Sequence, residues 1–239
     1  MFTGIIETIG TVRDLRRRGG RSVTVGIVPD TENFAVEPGG SVACDGVCLT
    51  VESVRDTIIY FTAVAETLDR STIGSVQSGG RVNLERALAL CDRLDGHFVL
   101  GHVDAVGTIE TDRRDGDSTV RTIRAPQELA PFLAEKGSVA VDGISLTIVA
   151  ARPDTFSVSL IPFTFEKTTM ALKRPGGRVN IECDVIARYL AQIVSGNAKL
   201  SLGKPEDLPR DKSYGLSSGT PKDVSSDVSL FDKMERSGF

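Results

Sequence analysis

The chain has 239 residues, enough for one large domain or for two domains of about 100 residues each. Hydrophobic residues make up 40% of it and charged residues 25%, which is the composition of an ordinary globular protein. The formal net charge of −4 creates no strong field towards nucleic acid or an anionic membrane, so neither is expected as a partner.

The first ten residues, MFTGIIETIG, have no basic segment and no long apolar core, and therefore predict no signal peptide. No apolar run along the chain approaches the roughly 20 residues that a membrane-spanning helix needs. The cysteines fit neither a zinc-ligand spacing nor a disulfide scaffold: Cys44, Cys48, Cys91 and Cys183. We therefore expect free thiols and a cytoplasmic protein.

Two stretches of the chain have nearly the same sequence. GSVACDGVCLTV at residues 40–51 and GSVAVDGISLTI at residues 137–148 agree at eight of twelve positions. The offset of 97 residues also relates GGRVNLE at 79–85 to GGRVNIE at 176–182. A solenoid would repeat about every 20 to 50 residues, so this spacing predicts two similar domains in tandem. We place them at residues 1–96 and 97–184.

Each copy contains short stretches rich in β-branched residues, such as SVTVGIV and FSVSLI, which predict strands. Asp45-Gly46, Asp142-Gly143 and Asp115-Gly116 predict hairpin turns, because such turns need residues with positive φ. PQELAPFLAEK at 126–136 predicts a short helix opened by Pro126 in its first turn. About six strands per copy predict an all-β fold of two small closed Greek-key barrels.

A different pattern follows the second copy. Asp184 is predicted to cap a helix over about residues 185–194, which Gly196 and Asn197 would end. One face of this helix is apolar and has to pack on its own barrel or on a neighbouring subunit: Ile186, Tyr189, Leu190 and Ile193. Residues 198–239 are rich in Ser, Gly, Pro, Lys and Asp without periodicity, and are predicted to be disordered.

The repeated dozen places a small polar pair on one face of a strand in each copy. Cys48 and Thr50 share a face in the first copy, and Ser145 and Thr147 share the equivalent face in the second. The plain alternative is a small core cysteine beside ordinary strand-forming threonines. The repetition of the spacing argues for a ligand site in each copy.

The two histidines are His97 and His102, in DGHFVLGHVDAVG. Their separation of five residues suits neither a helical metal pair nor one face of a strand, so no metal site is expected. The offset relates His102 to Ile5, so the copies differ at this position as they do at Cys48 and Ser145. Either the copies have simply drifted apart, or they hold the same ligand and treat it differently. Motifs for a Rossmann dinucleotide site, a P-loop and an α/β-hydrolase are missing.

Five segments in order resemble riboflavin synthase of the α-chain type, a lumazine-binding family: MFTGIIE, SVACDGVCLTV, GHFVLGHVD, DGISLTI and RVNIECD. The resemblance covers about residues 1–195. It implies two six-stranded barrels of the flavin-reductase-like kind and a homotrimer assembled through the helix at 185–197. It also implies an active site between the N-terminal barrel of one subunit and the C-terminal barrel of a neighbour, and an association with lumazine synthase.

The implied activity is that of a transferase which dismutates two molecules of 6,7-dimethyl-8-ribityllumazine. One molecule donates a four-carbon unit to the other, giving riboflavin and 5-amino-6-(D-ribitylamino)uracil in the last step of riboflavin biosynthesis. Neither a metal nor an added cofactor is implied. A reaction between two copies of one substrate would explain why the chain carries two similar pockets.

The resemblance also implies the residues of both pockets. The N-terminal pocket is expected to contain Gly4, Ile5, Ile6, Cys48, Leu49, Thr50, Thr62, Ala63, Val64, Ala65, Glu66 and Thr67. The C-terminal pocket is expected to contain Gly101, His102, Val103, Ser145, Leu146, Thr147, Ile161, Pro162, Phe163, Thr164, Phe165 and Glu166. Lys136 is expected to reach the ligand of an adjacent subunit.

Four of these residues are expected to be catalytic. Ser145 and Thr147 would orient one ring and help to deprotonate or hydrate it, and His102 would shuttle a proton. Cys48 would be either a transient nucleophile at ring carbon 7 or a polar contact to it, and no basic neighbour in the sequence promotes a thiolate.

Four further residues have expected roles beside the catalytic set. Phe2 would pack an N-terminal segment over the site. Asp142 would be a turn residue and Asp184 a helix cap, although the resemblance also admits Asp184 to the site. Phe163 stands where a more polar residue is expected, which bears on the contact to the ribityl chain.

Two other readings remain open from the sequence. A non-catalytic lumazine- or flavin-binding protein with an optical or carrier role would be expected to have lost the second motif, whereas DGISLTI is present. A purely structural two-barrel module would use the polar pairs only for packing and would bind no lumazine.

Overall fold

A computed structural model describes residues 1–18, with Arg18 by its backbone alone, and residues 21–195. The predicted helix stop at Gly196 and Asn197 and the predicted disordered tail at 198–239 lie outside the described residues. Within the described residues, no helix is long and apolar enough to cross a membrane.

The first barrel consists of six antiparallel strands that close in the order β1-β2-β5-β4-β3-β6. Its strands are β1 Thr8–Arg18, β2 Ser22–Pro29, β3 Ser41–Cys44, β4 Val47–Arg55, β5 Ile58–Ala63 and β6 Arg81–Arg86. Between β5 and β6 lie helix α1, Ala65–Arg70, and a 3-10 helix, Thr72–Ser75.

The second barrel repeats this topology with strands β7 to β12. Its strands are β7 Ala105–Asp115, β8 Ser118–Arg124, β9 Ser138–Val141, β10 Ile144–Ala151, β11 Thr155–Leu160 and β12 Arg178–Cys183. Helix α2, Pro162–Lys167, and a 3-10 helix, Thr169–Ala171, lie between β11 and β12, and helix α3, Val185–Val194, follows. The prediction of two closed six-stranded barrels and a C-terminal helix is confirmed.

Each barrel encloses its own core, because alternate residues of its strands point inward. In β5 the buried residues are Ile59, Phe61 and Ala63. In β11 they are Phe156, Val158 and Leu160. The domain boundaries at residues 96 and 184 remain a prediction.

The two barrels meet at their equivalent hairpin turns. Asp45 and Gly46 have φ of 45° and 76°, and Asp142 and Gly143 have φ of 48° and 78°, as predicted for these turns. A Cβ atom on Gly46 would lie 2.6 Å from the backbone nitrogen of Gly143, so only glycine permits this approach. The turns are therefore the contact between the barrels as well as the ends of two hairpins.

Two asparagines join the barrels across these turns. The side-chain amide of Asn83 on β6 donates to the carbonyl of Asp142 at 3.0 Å, and that of Asn180 on β12 donates to the carbonyl of Asp45 at 2.7 Å. Both asparagines are buried. Each barrel thus satisfies a turn carbonyl of the other, with the symmetry of the sequence repeat.

Two helices were predicted from the sequence, one after Pro126 and one after Asp184. The segment after Pro126 forms a 3-10 helix, Gln127–Phe132, with Pro126 at its cap position and not in its first turn. Pro131 lies inside it and cannot donate the hydrogen bond that a longer α-helix would need.

The helix after Asp184 is confirmed as Val185–Val194. Its predicted cap is confirmed too, because the Asp184 side chain accepts from the Ile186 backbone nitrogen at 2.9 Å.

Candidate functional site

On β4 and β10 the polar pair occupies one face of the strand and the leucine the other, as the alternation predicted. Leu49 and Leu146 are buried in the two cores, whereas Thr50 and Thr147 are exposed. Cys48 and Ser145 are partly buried at the start of the same faces. The structure therefore offers an equivalent small polar surface on each barrel.

Each of these surfaces is completed by a chain segment from the other repeat. The Gly4 carbonyl accepts a hydrogen bond from the Ser145 backbone nitrogen at 2.8 Å, and the Gly101 carbonyl accepts one from that of Cys48 at 2.9 Å. Ile6 packs against the core of the second barrel, and Val103 against the core of the first. We call residues 3–7 and 100–104 the crossing segments.

The structure places two segments against the barrel opposite to the one that the sequence-based expectation named for them. Gly4 to Ile6 were expected in the N-terminal pocket and Gly101 to Val103 in the C-terminal pocket, and the structure exchanges them. The cause is a two-residue antiparallel bridge between the repeats, in which Phe2 and Val99 exchange backbone hydrogen bonds of 2.7 and 3.1 Å. Phe2 is fully buried there and packs with Ala43, Val99 and Ala140.

Two half-sites result from this exchange. The N-terminal half-site combines Cys48 and Thr50 with crossing segment 100–104, and the C-terminal half-site combines Ser145 and Thr147 with crossing segment 3–7. His102 consequently lies on the segment that contacts Cys48, and its side chain is exposed. The sequence-based expectation had grouped His102 with Ser145 and Thr147, whereas the structure places it beside Cys48.

His97 is the histidine that contacts Ser145, and sequence reasoning missed it. Its Nδ1 lies 2.7 Å from the Ser145 hydroxyl, and only 8% of the residue is exposed. Burial lowers the pKa of His97 below the ordinary 6.5, with Asp184 acting in the opposite direction, so the imidazole is neutral at neutral pH. The Nε2 atom has no hydrogen-bond partner among the described residues. No sequence signal connects positions 97 and 145, because the contact depends on the crossing.

The remaining predicted residues lie at the end of β5, on α1 and on α2. Residues 62–67 run from the end of β5 into α1, and residues 161–166 run from the N-cap of α2 into that helix. At the equivalent positions Thr67 and Thr164, the backbone carbonyls accept side-chain hydrogen bonds from Ser71 at 2.6 Å and from Thr168 at 2.7 Å. Phe163 is 68% exposed at the start of α2. Lys136, with φ of 66°, is exposed in the turn before β9.

Two cavities adjoin the crossing segments at equivalent places in the repeats. One, of about 610 Å³, is bordered by Thr3, Ile5, Glu7 and Glu85 among others. The other, of about 410 Å³, is lined by Leu100, His102, Asp104 and Glu182, by Glu66 and Arg70 of α1, and by Tyr189 of α3. Among the residues that the structure describes, no group of three or more His, Cys, Asp or Glu side chains is placed to hold a metal ion.

Comparison with known proteins shows similarity along most of the chain. The model of the lumazine binding domain family matches twice, at residues 3–87 and 100–184. Riboflavin synthase of Brucella abortus (strain 2308) is 44% identical over 198 residues, covering 81% of this chain and 98% of that protein. Riboflavin synthase of Bacillus subtilis (strain 168) is 37% identical over 191 residues, covering 80% and 88%.

Solved structures with a similar fold include LumP complexed with 6,7-dimethyl-8-(1'-D-ribityl) lumazine. The TM-score is 0.69 at 20% sequence identity, covering 77% of this chain and 99% of LumP. LumP complexed with riboflavin gives a TM-score of 0.70 at 22% identity, with the same coverage. At these identities the likeness concerns the two-barrel fold alone.

Proposed function

The chain belongs to the riboflavin synthase family and carries its lumazine binding domain twice, and on that premise we propose that it dismutates 6,7-dimethyl-8-ribityllumazine. One bound molecule would donate a four-carbon unit to a second, yielding riboflavin and 5-amino-6-(D-ribitylamino)uracil. The observation that carries this proposal is the pair of half-sites, each built from the same strand position and completed by the other repeat. Two equivalent sites suit a reaction in which both reactants are the same compound.

The proposed reaction needs no external oxidant or reductant. The two products together contain all the atoms of two substrate molecules, because the four carbons that one loses are gained by the other. The ring system can delocalise the carbanion that forms when its 7-methyl group loses a proton. We therefore assign no metal or added cofactor to the reaction.

Positioning is the main contribution that we assign to the protein. Holding two reactants in a reactive geometry can supply roughly 7–11 kcal/mol of the barrier. Backbone and hydroxyl dipoles near the ring carbonyls would stabilise the developing charge. Thr50 and Thr147 are exposed on the two equivalent faces, where a flat ring could contact their hydroxyl groups.

The half-sites differ in their reactive groups, which supports different roles for the two bound molecules. In the C-terminal half-site, Ser145 and Thr147 orient one ring, and neutral His97 can accept a hydrogen bond from the Ser145 hydroxyl. In the N-terminal half-site, His102 shuttles a proton and Cys48 contacts ring carbon 7 or attacks it transiently. Ile5 has the place in one crossing segment that His102 has in the other.

Assembly as a homotrimer is part of the proposal. The apolar face of α3 is exposed on this chain, which fits a contact with neighbouring subunits. The active site would then form between the N-terminal half-site of one subunit and the C-terminal half-site of the next, and Lys136 would reach across this boundary. Association with lumazine synthase, which would supply the substrate, is a further proposal.

The test is direct. Purified protein is mixed with 6,7-dimethyl-8-ribityllumazine without metal or nicotinamide, and riboflavin is followed by absorbance and chromatography against a protein-free blank. One mole of riboflavin per two moles of substrate consumed supports the proposal. Tight binding without turnover would support an optical or carrier protein instead and would direct attention to Phe163. Absence of binding would leave a structural module.

A further inference from the structure

Two buried glutamates occupy equivalent positions near the ends of the last strands of the barrels. Glu85 on β6 and Glu182 on β12 are each 4% exposed. Glutamate is seldom so buried, because removing a carboxylate from water costs free energy unless hydrogen bonds replace the water. Burial raises the pKa of both groups, and the backbone N–H groups that they bind oppose this rise. Their partners therefore indicate what they do.

Both carboxylates bind the backbone of a crossing segment. Glu85 accepts from the Thr3 nitrogen at 2.6 Å, from the Thr3 hydroxyl at 2.7 Å and from the Gly4 nitrogen at 3.0 Å. Glu182 accepts from the Leu100 nitrogen at 2.6 Å and from the Gly101 nitrogen at 2.9 Å. Hydrogen bonds to an ionised acceptor are about twice as strong as those between neutral groups. Each glutamate thus fixes two consecutive peptide groups of its segment.

The glycine held by each glutamate also contacts the opposite barrel. The Gly4 nitrogen donates to the Glu85 carboxylate of the first barrel, and the Gly4 carbonyl accepts from the Ser145 nitrogen of the second. The Gly101 nitrogen donates to the Glu182 carboxylate of the second barrel, and the Gly101 carbonyl accepts from the Cys48 nitrogen of the first. One residue therefore separates each buried carboxylate from a predicted catalytic residue of the other barrel.

We propose that Glu85 and Glu182 are positioning residues that act across the repeats: Glu85 places Ser145 of the C-terminal half-site, and Glu182 places Cys48 of the N-terminal half-site. The kinetic consequence of this arrangement rests on the proposed function, whereas the crossed geometry does not. A residue that only stabilised its own barrel would affect the half-site of that barrel.

Chemical labelling of Cys48 tests the crossing without reference to activity. In a Cys91→Ser background, which removes the exposed thiol, alkylation by iodoacetamide is followed at each cysteine by peptide mass spectrometry. Glu182→Gln keeps the size of the side chain but turns an amide NH₂ towards a backbone N–H, so the segment over Cys48 loosens. We expect the rate of Cys48 labelling to rise at least about fivefold, because local opening governs access to a partly buried group.

Three matched variants serve as controls for the Cys48 labelling rate. Glu85→Gln should leave the Cys48 labelling rate within about twofold of the parent, although Glu85 and Cys48 belong to the same barrel. Glu110→Gln makes the same change on β7, where the polar partner of Glu110 is Arg124 on β8, and should behave likewise. Glu182→Asp keeps the charge but shortens the side chain, and should raise the rate by a smaller factor if Glu182→Gln does not fold.

Each other outcome overturns the proposal. A rise with Glu85→Gln and not with Glu182→Gln would show that the glutamates act within their own barrels. Equal rises in both variants would show general loosening, and no rise in either would show that the contact does not control Cys48.

Turnover is the second readout. Displacing reacting groups by about 1 Å can lower rates up to a hundredfold, so we expect kcat to fall about tenfold in Glu85→Gln and Glu182→Gln and to stay unchanged in Glu110→Gln. Cys48 labelling that rises in Glu182→Gln and not in Glu85→Gln, in a protein that makes no riboflavin, would support the positioning geometry and overturn the proposed function alone. The same labelling result in an active enzyme, with kcat unchanged in Glu85→Gln and Glu182→Gln, would show that the positioning does not contribute to catalysis.

Discussion

Glycine at positions 4 and 101 allows the crossing segments to lie directly on the strands of the opposite barrel. Both residues have φ of +79°. A Cβ atom on Gly4 would lie 2.6 Å from the Cβ of Ser145, and one on Gly101 would lie 2.5 Å from the Cβ of Cys48. Separations below 3.0 Å do not occur without displacement of the neighbour. The hydrogen bonds between segment and strand thus depend on two residues without side chains.

Comparing Gly101→Ala with Gly79→Ala separates two costs in stability: the close contact of a Cβ atom with Cys48, and the strain of positive φ in a residue other than glycine. Gly79 has φ of +83° with nothing within 4 Å of its notional Cβ, so Gly79→Ala carries only the backbone strain. That strain costs about 1–2 kcal/mol, and overpacking at Cys48 adds about 1–3 kcal/mol in Gly101→Ala. The free energy of unfolding, measured by urea denaturation, should therefore fall further in Gly101→Ala. Equal losses in the two variants would contradict the close contact.

The sequence pattern predicted the strand alternation around the expected site residues. It placed Cys48 and Ser145 on the strand faces opposite Leu49 and Leu146, and the two leucines are buried in the structure. The offset of 97 could not reveal the exchange of the crossing segments, because it relates residues within one copy to their equivalents and says nothing about which barrel each touches. The contact of His97 with Ser145 was hidden for the same reason.

Among the structural elements, the two hairpin turns between β3 and β4 and between β9 and β10 concentrate charge at the barrel contact. Asp45 and Asp142 are buried, and one cation serves both: the Lys173 ammonium lies 2.5 Å from Asp142 and 4.0 Å from Asp45. Burial is the main cause that raises the pKa of Asp45 from 3.8 to about 7; Asp142 adds to the rise, and Lys173 and the Asn83 backbone act against it. Between about pH 4 and pH 7 the folded protein therefore holds a proton at Asp45 that the unfolded chain releases.

Asp45→Asn should make stability less dependent on pH. A carboxyl group with a raised pKa in the folded state contributes its stability fully below the unfolded pKa, and this contribution is lost as the pH rises to the folded value near 7. The free energy of unfolding of Asp45→Asn relative to the wild type should hence increase between about pH 4 and pH 7 and level off above, with a total gain of about 4 kcal/mol.

Urea denaturation across this pH range provides the measurement. Asp56→Asn, the same substitution in the exposed turn between β4 and β5, controls for the chemical change, because Asp56 also has positive φ. A difference between Asp45→Asn and wild type that does not vary with pH would show that Asp45 is ionised in the folded state throughout.

The short helices were the elements that the sequence did not predict. Helices α1 and α2 have six residues each, and neither N-cap residue, Val64 or Ile161, forms a side-chain capping bond. Such a segment is too short to show a helical period and lacks a start signal. The strands and the Asp-Gly turns were predictable because their periodicity and their positive φ leave local marks in the sequence.

At the scale of the whole molecule, assembly centres on α3. The helix and its apolar face were predicted from residue spacing, but what covers that face was not. The four residues of the face are between 51% and 62% exposed on this chain: Ile186, Tyr189, Leu190 and Ile193. Exposed apolar residues that adjoin on one helix are typical of a subunit contact, which is the basis of the proposed trimer.

Leu190→Asp tests that contact together with the intersubunit active site. A charge in the centre of a buried apolar contact costs several kcal/mol without a partner, so light scattering should report the mass of a single chain. Riboflavin formation should then fall at least about a hundredfold, since each monomer would keep both half-sites but could not face them towards those of a neighbour. Gln192→Asp puts the same charge on an exposed residue outside the apolar face and should leave both mass and activity unchanged. Full activity in a Leu190→Asp protein of monomer mass would show that two substrate molecules react within one chain, and would place the reaction at a site formed by one subunit alone.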